Sequence, residues 1–322
     1  MAALPDPHIP RLVELRHVRS SDLDYLLEEE SAAWKDSLDW DFQASAGLVR
    51  RFVDMQSLSG YSLLINGRLV GYSYFVCEDH KGLIGDLYVL REFASPENES
   101  RLLGSVLDAL LKTPLVKRVE SQLMMLRGAS RLALPHWRRL QVFARNFMEA
   151  SLEAVDRLPA SHAERWLSID SWSEASQEEA AVLIAGAYRG HIDSEINDQY
   201  RSVLGARKFL TNIVQFPGCG VFYQPASFVL IETKTGRLCG ICLASLVAPQ
   251  VGHIMQICVS GAVRGKGAGY ALLRRSMQAL ARHGCTKASL TVTSANREAI
   301  QLYERAGFMN RREFAAHVWD GF

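Results

Sequence analysis

The amino-acid sequence predicts an α/β protein made of two similar units, each a mixed β-sheet flanked by helices. Three observations support this prediction: an internal repeat at domain spacing, paired apolar runs joined by tight turns, and a glycine-rich loop that opens an amphipathic helix. At 322 residues, with 48% hydrophobic and 22% charged residues, the chain is long enough for two globular domains.

The repeat is clearest in two predicted β-hairpins. Asn66–Gly71 reads NGRLVG and Thr235–Gly240 reads TGRLCG, and each lies between two apolar runs, the pattern of strands joined by a tight turn. About ten residues further on, Gly82–Val89 matches Gly252–Val259, and the helical stretches that follow also correspond. The offset of about 160 to 170 residues indicates a duplicated domain and not a solenoid repeat.

The join between the copies is expected near VDRLPASHAERW, where Pro159, Ala160 and Ser161 interrupt the periodic pattern. We therefore expect residues 1–157 to form one domain and residues 158–322 the other. Each copy reads as a strand, one or two helices, a hairpin, a strand, a helix, a strand, a helix and final strands. Hairpins combined with crossover helices predict a mixed sheet with helices on both faces.

Composition and charge exclude several classes of partner. A formal net charge of +1 gives no electrostatic reason to expect nucleic acid. The first ten residues, MAALPDPHIP, have neither the basic nor the apolar region of a signal peptide. No stretch approaches the roughly 18 apolar residues of a membrane span. We expect a cytoplasmic protein without a nucleic-acid or membrane partner.

Six cysteines are spread along the chain, and two of them, Cys239 and Cys242, form a CxxC pair. A zinc site needs a second pair of ligands at similar spacing, and none follows. The pair lies in RLCGICLAS, which predicts a buried strand in which cysteines act as small hydrophobic residues. We therefore predict reduced thiols and no metal.

The clearest chemical signal is the loop Arg264–Gly269, which reads RGKGAG. It follows the predicted strand HIMQICV and precedes a helix with Leu273, Met277 and Leu280 on one face. Glycines let the backbone approach a ligand, the helix N-terminus offers free N–H groups, and the two cationic side chains add charge. We interpret this loop as a pyrophosphate site. The alternative is a glycine-rich turn that merely begins the helix.

The spacing excludes the common nucleotide loops. A Walker A loop would need glycine at Ser260 and a hydroxyl residue at Gly267. The dinucleotide fingerprint GxGxxG would need glycine at Tyr270. A nucleotide-dependent enzyme is therefore disfavoured.

The loop and the residues after it resemble the GNAT N-acetyltransferase superfamily. RxxGxG between a strand and a helix is that superfamily's coenzyme A motif, and the likeness continues through Ser289–Val292, Asn296, Tyr303 and Phe308. Two such units in one chain resemble mycothiol synthase-like tandem acetyltransferases. The resemblance implies a tandem GNAT fold in which the second copy uses acetyl-CoA to acetylate a primary amine on a small molecule or peptide. The cofactor-binding residues that it implies are Ile257, Cys258, Val259, Arg264, Gly265, Lys266, Gly267, Ala268, Gly269 and Asn296.

The resemblance also assigns a proton donor, Tyr303, seven residues after Asn296 on the same helix face. A thiol of pKa about 8.5 leaves readily and accepts a proton from a nearby phenol of pKa about 10 as charge develops. The alternative is a core tyrosine, because Leu302 and Phe308 are apolar.

A general base is harder to assign. Family members often carry a glutamate on the strand before the loop, whereas this strand reads His253–Gln256 without a carboxylate. His253 is a candidate catalytic base because a free imidazole titrates near pH 6.5; an exposed histidine or a water relay to a distant carboxylate are alternatives. The segment His191–Asp198 carries three carboxylates that either attract a cationic amine or form a solvated cap. The missing glutamate leaves an acyl-CoA-binding or sensing module without turnover as the alternative function.

The first copy is predicted to be a degenerate domain without the cofactor loop. Ala94–Glu99 stands where the second copy has its glycine-rich loop, and it contains no glycine. Pro96 removes a backbone donor, and Glu97 and Glu99 would repel a phosphate. We expect one coenzyme A site per chain.

Overall fold

The computed structural model describes residues 9–126, 134–216 and 218–321, which form two compact units. The first unit takes the residues up to Phe143 together with those from Phe314 onward, and the second is Ala144–Glu313. Each unit is an α/β structure with one mixed sheet, as the sequence predicts.

The described residues of the first unit form three α-helices and the strands of a hairpin-rich sheet. The sheet order is β1-β2-β3-β4-β5, followed by the C-terminal part of β13, with β4 and β5 parallel and the other pairs antiparallel. The elements are β1 (Arg11–Glu14), α1 (Asp24–Leu38), α2 (Gln43–Asp54), β2 (Ser59–Ile65), β3 (Arg68–Glu78), β4 (Lys81–Val89), α3 (Pro96–Lys112) and β5 (Arg118–Gln122).

The second unit has the same plan. Its sheet runs in the order β6-β12-β11-β10-β9-β7, with β8 paired to β10, and only β11 and β12 are parallel. The elements are β6 (Leu140–Ser151), β7 (Leu167–Ser171), α4 (Gln177–Ala187), α5 (Asp193–Ile196), α6 (Val203–Gln215), β8 (Val221–Phe222), β9 (Phe228–Glu232), β10 (Leu238–Ala248), β11 (Val251–Val259), α7 (Ala268–His283), β12 (Lys287–Thr293), α8 (Arg297–Arg305) and β13 (Met309–Asp320).

The internal repeat is visible in strand register as well as in sequence. Gly71 pairs with Val89 in the first unit, and Gly240 pairs with Val259 in the second. Each of these strand pairs also has a register shift at the matching place, after Tyr74 and after Leu243. The two copies therefore share not only the order of their elements but also the same irregularity in the central hairpin.

The core of the second unit is built on α7, as its apolar stripe predicts. Leu273, Met277 and Leu280 are completely buried among the side chains of the sheet. Burial of each such side chain contributes about 1.5–3 kcal/mol. A side chain at Gly252 would come within 2.4 Å of the Leu280 methyl groups, so the helix packs directly on strand backbone there. This packing holds the C-terminal part of α7 against the start of β11.

The boundaries of the compact units differ from the domain boundary predicted at residue 157. Residues 145–151 of β6 pair with β12, so this stretch belongs to the sheet of the second unit. Residues 316–320 of β13 pair with β5 in the sheet of the first unit. The last strand of each sequence copy therefore lies in the sheet that is built mainly from the other copy.

Candidate active site

An opening between two strands forms the floor of the candidate site. β11 pairs with β10 along its whole length, but it pairs with the parallel strand β12 only from Val251 to Ile254. The register shift between β10 and β11 leaves Met255 as a bulge. Beyond the bulge, β11 and β12 diverge, and the edge of β11 from residue 255 to 259 carries backbone groups that no strand of the described chain pairs with on that side.

A cavity of about 1420 Å³ lies over this opening, and the residues that line it all belong to the second unit. Most of the residues predicted to hold the cofactor line it, together with the predicted proton donor. They are Ile257, Cys258, Val259, Arg264, Gly265, Gly267, Ala268, Gly269, Asn296 and Tyr303. Two predicted site residues, Lys266 and His253, are not among the lining residues.

The glycine-rich loop enters α7 in a conformation that suits glycine. Gly265 and Gly267 have φ angles of 73° and 83°, in the left-handed region. Gly267 is the N-cap of α7 and, having no side chain, leaves the first N–H groups of the helix without a side-chain cap. A Cβ atom at Gly267 would lie 2.6 Å from Ser161 Oγ, which donates a hydrogen bond of 2.9 Å to the Gly267 carbonyl. The free donors and the helix dipole fit a pyrophosphate group.

The two cations of the loop have different positions. Arg264 lines the cavity, and its Nη2 donates to the Ala187 carbonyl oxygen at 3.3 Å. The Lys266 Nζ donates to the Ala262 carbonyl oxygen at 2.9 Å, on the exposed side of the loop. Arg264 is therefore the loop cation that faces the cavity directly.

Tyr303 lies on α8, at the inner end of the cavity, and is 7% exposed. Burial raises the pKa of its hydroxyl, the charge of Asp193 raises it further, and Arg145 acts in the opposite direction. The hydroxyl therefore keeps its proton at neutral pH. Asn296 caps α8 by accepting the Ala299 N–H, and its Nδ2 lies 3.3 Å from His191 Nε2.

Several polar side chains converge on the same end of the cavity. The rings of Tyr188 and Tyr200 stack with 4.4 Å between centroids. Gln256 Nε2 donates to the Tyr188 hydroxyl at 3.0 Å, and the Tyr200 hydroxyl donates to Gln256 Oε1 at 3.4 Å. Asp193, in the segment predicted to cover the acceptor, accepts a hydrogen bond from Thr293 Oγ1.

Sequence reasoning missed Tyr188, Tyr200, Gln256 and Arg145. Two of them had a signal in the sequence: Tyr188 directly follows α4, and Gln256 is a polar residue in the apolar strand β11. Arg145 carried no signal, because it precedes its cavity partner Thr291 by more than a hundred residues.

His253 occupies a different environment from that predicted for a catalytic base. Its side chain is 3% exposed, and Nδ1 lies 2.9 Å from Ser289 Oγ in the interior of the sheet. Burial lowers the pKa of His253 to about 3, so the ring stays neutral and is a weak proton acceptor. Because this histidine does not line the cavity, we assign it no part in the chemistry.

The cysteines are free thiols in this structure. Cys239 and Cys242 lie buried in β10, as the apolar pattern around the CxxC pair predicts. Cys258 lines the cavity, and burial, the largest cause, raises the pKa of its thiol to about 12. A thiol that holds its proton at neutral pH is a poor nucleophile. The cavity therefore offers no activated cysteine at this position.

The corresponding strand divergence in the first unit has buried polar side chains near it. β4 pairs with β5 only from Lys81 to Ile84, yet Glu30, Tyr72 and Asp86 are buried beside the divergence. The Tyr72 hydroxyl donates to Glu30 Oε2 at 2.7 Å. Burial raises the pKa of Glu30 well above its ordinary value, and burial also raises that of Asp86 to about 6.

The loop that precedes α3 in the first unit is closed as well. The Ser95 hydroxyl caps the helix by accepting the Asn98 N–H, and Pro96 occupies its first turn. Glu97 and Glu99 lie in the same turn. A helix start that is capped and acidic does not suit a phosphate.

The described residues contain neither a metal-binding group nor a membrane-spanning helix. Within residues 9–126, 134–216 and 218–321, no three His, Cys, Asp or Glu side chains are grouped so that they could hold a metal ion. Over the same part of the chain, no helix combines the length and apolar character needed to cross a bilayer.

Comparison with known proteins identifies the region around the cavity. Residues 193–308 match the model of the acetyltransferase (GNAT) family. These residues form a GNAT acetyltransferase domain. The matched range contains the strand opening, the glycine-rich loop and Tyr303, whereas Arg145, Tyr188 and His191 of the same cavity precede it.

One relative of known name is a mycothiol acetyltransferase from Acidimicrobium ferrooxidans. It is 35% identical over 102 residues, which are 30% of this chain and 33% of that protein. The match thus spans a third of the relative's length.

Solved structures resemble the whole chain. A GCN5-related N-acetyltransferase from Sphaerobacter thermophilus has a TM-score of 0.64 at 18% identity, covering 99% of this chain and 97% of that one. A tandem GNAT protein from the clavulanic acid biosynthesis pathway has a TM-score of 0.57 at 14% identity, covering 97% and 98%. These structures confirm the predicted tandem GNAT fold.

Proposed function

We propose that this protein is an N-acetyltransferase whose second copy moves acetyl from acetyl-CoA to a primary amine by direct attack. The observation that carries the proposal is a single cavity in which the uncapped start of α7, the free edge of β11 and the hydroxyl of Tyr303 meet. These are the parts needed to hold a pyrophosphate, orient a thioester and supply a proton.

Acetyl-CoA supplies the acetyl group as a thioester: a new N–C bond replaces the C–S bond, the amine loses a proton, and the sulfur gains one. The loop Arg264–Gly269 would hold the pyrophosphate through the N–H groups at the start of α7. Backbone groups of Ile257 and Val259 would orient the pantetheine arm along the open edge of β11, and Asn296 would fix the adjoining turn.

Tyr303 Oη would deliver the proton to the departing sulfur. Because burial raises the pKa of this tyrosine, the hydroxyl is protonated when the thiolate forms. His191 and Asp193 line the same cavity and provide an imidazole and a carboxylate to receive the proton of the amine. Direct attack is favoured over an acyl-enzyme because burial raises the pKa of the Cys258 thiol to about 12.

We further propose that the first copy, residues 1–157, is degenerate and that residues 158–322 carry the catalytic machinery. The buried Tyr72–Glu30 hydrogen bond and the capped acidic start of α3 support this division of roles. Because β6 pairs with β12 in the sheet of the second unit, the catalytic copy also needs residues 144–151.

Amine-dependent release of free coenzyme A thiol tests the proposal. The full chain is incubated with acetyl-CoA and a panel of primary amines that includes alkylamines, amino acids, amino sugars and peptides, with mass spectrometry of the products. We expect thiol release that requires an amine and yields an N-acetylated product. Binding of acetyl-CoA without transfer to any amine would instead indicate a binding or sensing module.

A further inference from the structure

Two side chains of opposite charge line the inner end of the cavity. Arg145 extends from β6, and Asp193 begins the short helix α5. Both charges reach the tyrosines between them: after burial, which is the largest cause, Asp193 raises the pKa of Tyr200 and of Tyr303, while Arg145 lowers both. The proposed reaction centre at Tyr303 therefore lies within the fields of one cation and one anion.

Arg145 has donors that the protein does not use. Its Nη2 donates to Thr291 Oγ1 at 3.2 Å, but its buried Nε has no hydrogen-bond partner in the described parts of the chain. Across those same residues, no carboxylate lies within ion-pair distance of this guanidinium. A partly buried cation without a matching anion is costly. A guanidinium presents a planar fork of donors that fits a carboxylate.

Asp193 offers the complementary group for an ammonium ion. Its side chain is 16% exposed, and Oδ1 accepts a hydrogen bond from Thr293 Oγ1. Oδ2 lies 3.7 Å from His191 Nδ1, which is beyond hydrogen-bond length. The stacked rings of Tyr188 and Tyr200 line the cavity beside it, and aromatic faces attract cations.

Resting on the proposed function, we infer that the acetyl acceptor is a small amino carboxylate, whose ammonium group binds at Asp193 and whose carboxylate binds at Arg145. This arrangement would place the amine beside Tyr303 and the thioester end of the cofactor arm. The ammonium group gives a proton to Asp193 or His191, and the neutral amine then forms the N–C bond.

The test compares amines that differ only in the carboxylate: phenylalanine with phenethylamine, leucine with 3-methylbutylamine, and lysine with cadaverine. For the accepted pair, we expect the amino acid to have a kcat/KM at least about tenfold higher, because a charge-assisted hydrogen bond is lost with the carboxylate. The difference should lie mainly in the KM for the acceptor.

Three variants locate the effect. Arg145→Met should abolish the preference for the carboxylated member, Arg145→Lys should keep part of it, and Arg237→Met, at an exposed hairpin arginine outside the cavity, should leave it unchanged. A second readout does not need turnover: with coenzyme A present, the accepted amino acid should raise the melting temperature of the wild type but not of Arg145→Met.

The outcomes separate the two proposals. Equal use of both members of each pair, or a preference that survives Arg145→Met while acetyl-CoA binding is intact, would overturn the amino carboxylate inference alone. If the wild type neither binds acetyl-CoA nor transfers acetyl to any amine, the proposed function is wrong and this inference fails with it.

Discussion

At the scale of single residues, the inner end of the cavity is defined by groups whose protonation is set by burial. Tyr303 and Cys258 both line it, and burial raises the pKa of each, so both hold their protons at neutral pH. A tyrosine that holds its proton has one to donate, and a cysteine that holds its proton is a poor nucleophile. The role assigned to each residue depends on its protonated state.

Replacement of Tyr303 by phenylalanine should lower kcat by about 10²–10⁴-fold, because a general acid of this kind contributes that much. The KM for acetyl-CoA should change little, since the hydroxyl acts mainly as the thiolate forms. Steady-state kinetics would measure both constants. Tyr223→Phe, in the same unit but outside the cavity, is the matched control. A Tyr303→Phe enzyme within about threefold of the wild type would reduce Tyr303 to a packing residue.

His253 makes a different prediction, one about acid stability. Burial lowers its pKa from 6.5 to about 3, so between these values the unfolded chain binds one more proton than the folded protein. The contribution of the neutral ring to the free energy of unfolding is fully present above pH 6.5. It falls by about 1.4 kcal/mol per pH unit as the pH drops towards 3. His253→Gln should flatten this fall, as measured by urea unfolding at pH 7 and pH 4.5.

An exposed histidine, His80, provides the control, and His80→Gln should leave the acid sensitivity as it is. His317, whose pKa burial lowers to about 4, weakens the fold in acid in every variant alike. An unchanged pH dependence in His253→Gln would mean that this histidine is charged or solvated in the folded protein.

At the scale of secondary-structure elements, the junction of β11 with α7 organises the site. The strand supplies a free edge, the loop supplies donors, and the buried stripe of α7 fixes one to the other. Much of this could be predicted from the sequence, because a glycine loop between an apolar strand and an amphipathic helix is a local pattern. Leu273, Met277 and Leu280 are buried as their spacing predicts.

The remaining parts of the site were beyond local reasoning. Arg145 lies in β6, far before Tyr188 and Tyr200 in the chain, and only the tertiary fold brings it into the same cavity. The sequence does not show to which face of β11 His253 points, because both faces of this strand are buried. A strand buried on both sides has no polar alternation from which to infer orientation.

The glycine loop supports a prediction that isolates charge from shape. Gly265 has a φ angle of 73°, and a Cβ there would meet no atom within 4 Å, whereas at Gly267 it would collide with Ser161. Gly265→Asp and Gly265→Asn are alike in size, and both residues tolerate left-handed backbone. The aspartate variant should bind coenzyme A at least about tenfold more weakly than the asparagine variant, because its charge repels the pyrophosphate.

Isothermal titration calorimetry measures this difference, and thermal unfolding confirms that both variants are folded. Wild-type affinity in both variants would show that no phosphate lies next to Gly265. An equal loss of affinity in both would trace the effect to backbone strain.

At the scale of the whole molecule, duplication has produced two units with one plan and different interiors. The matching register shifts and the matching divergence of two parallel strands show that both units share one strand arrangement. In the first unit, Glu30, Tyr72 and Asp86 are buried near the divergence, and a capped acidic turn stands in place of the glycine loop. One fold thus carries different side chains at corresponding positions.

The main feature of the fold that the repeat did not predict is the sheet that the last strand of each copy joins. RNFMEAS in β6 and AAHVWD in β13 both form strands, and neither sequence specifies which sheet it joins. Which sheet a strand joins depends on long-range pairing, which periodicity does not encode. The predicted join at residue 157 therefore describes the repeat, while the compact units end at Phe143 and Glu313.

Calorimetric titration of the full chain with acetyl-CoA tests the central claim most directly, that the second copy alone holds the cofactor. We expect one molecule bound per chain, with binding lost or strongly weakened in Gly265→Asp. Two sites of comparable affinity, or one site that keeps its full affinity in Gly265→Asp, would contradict it.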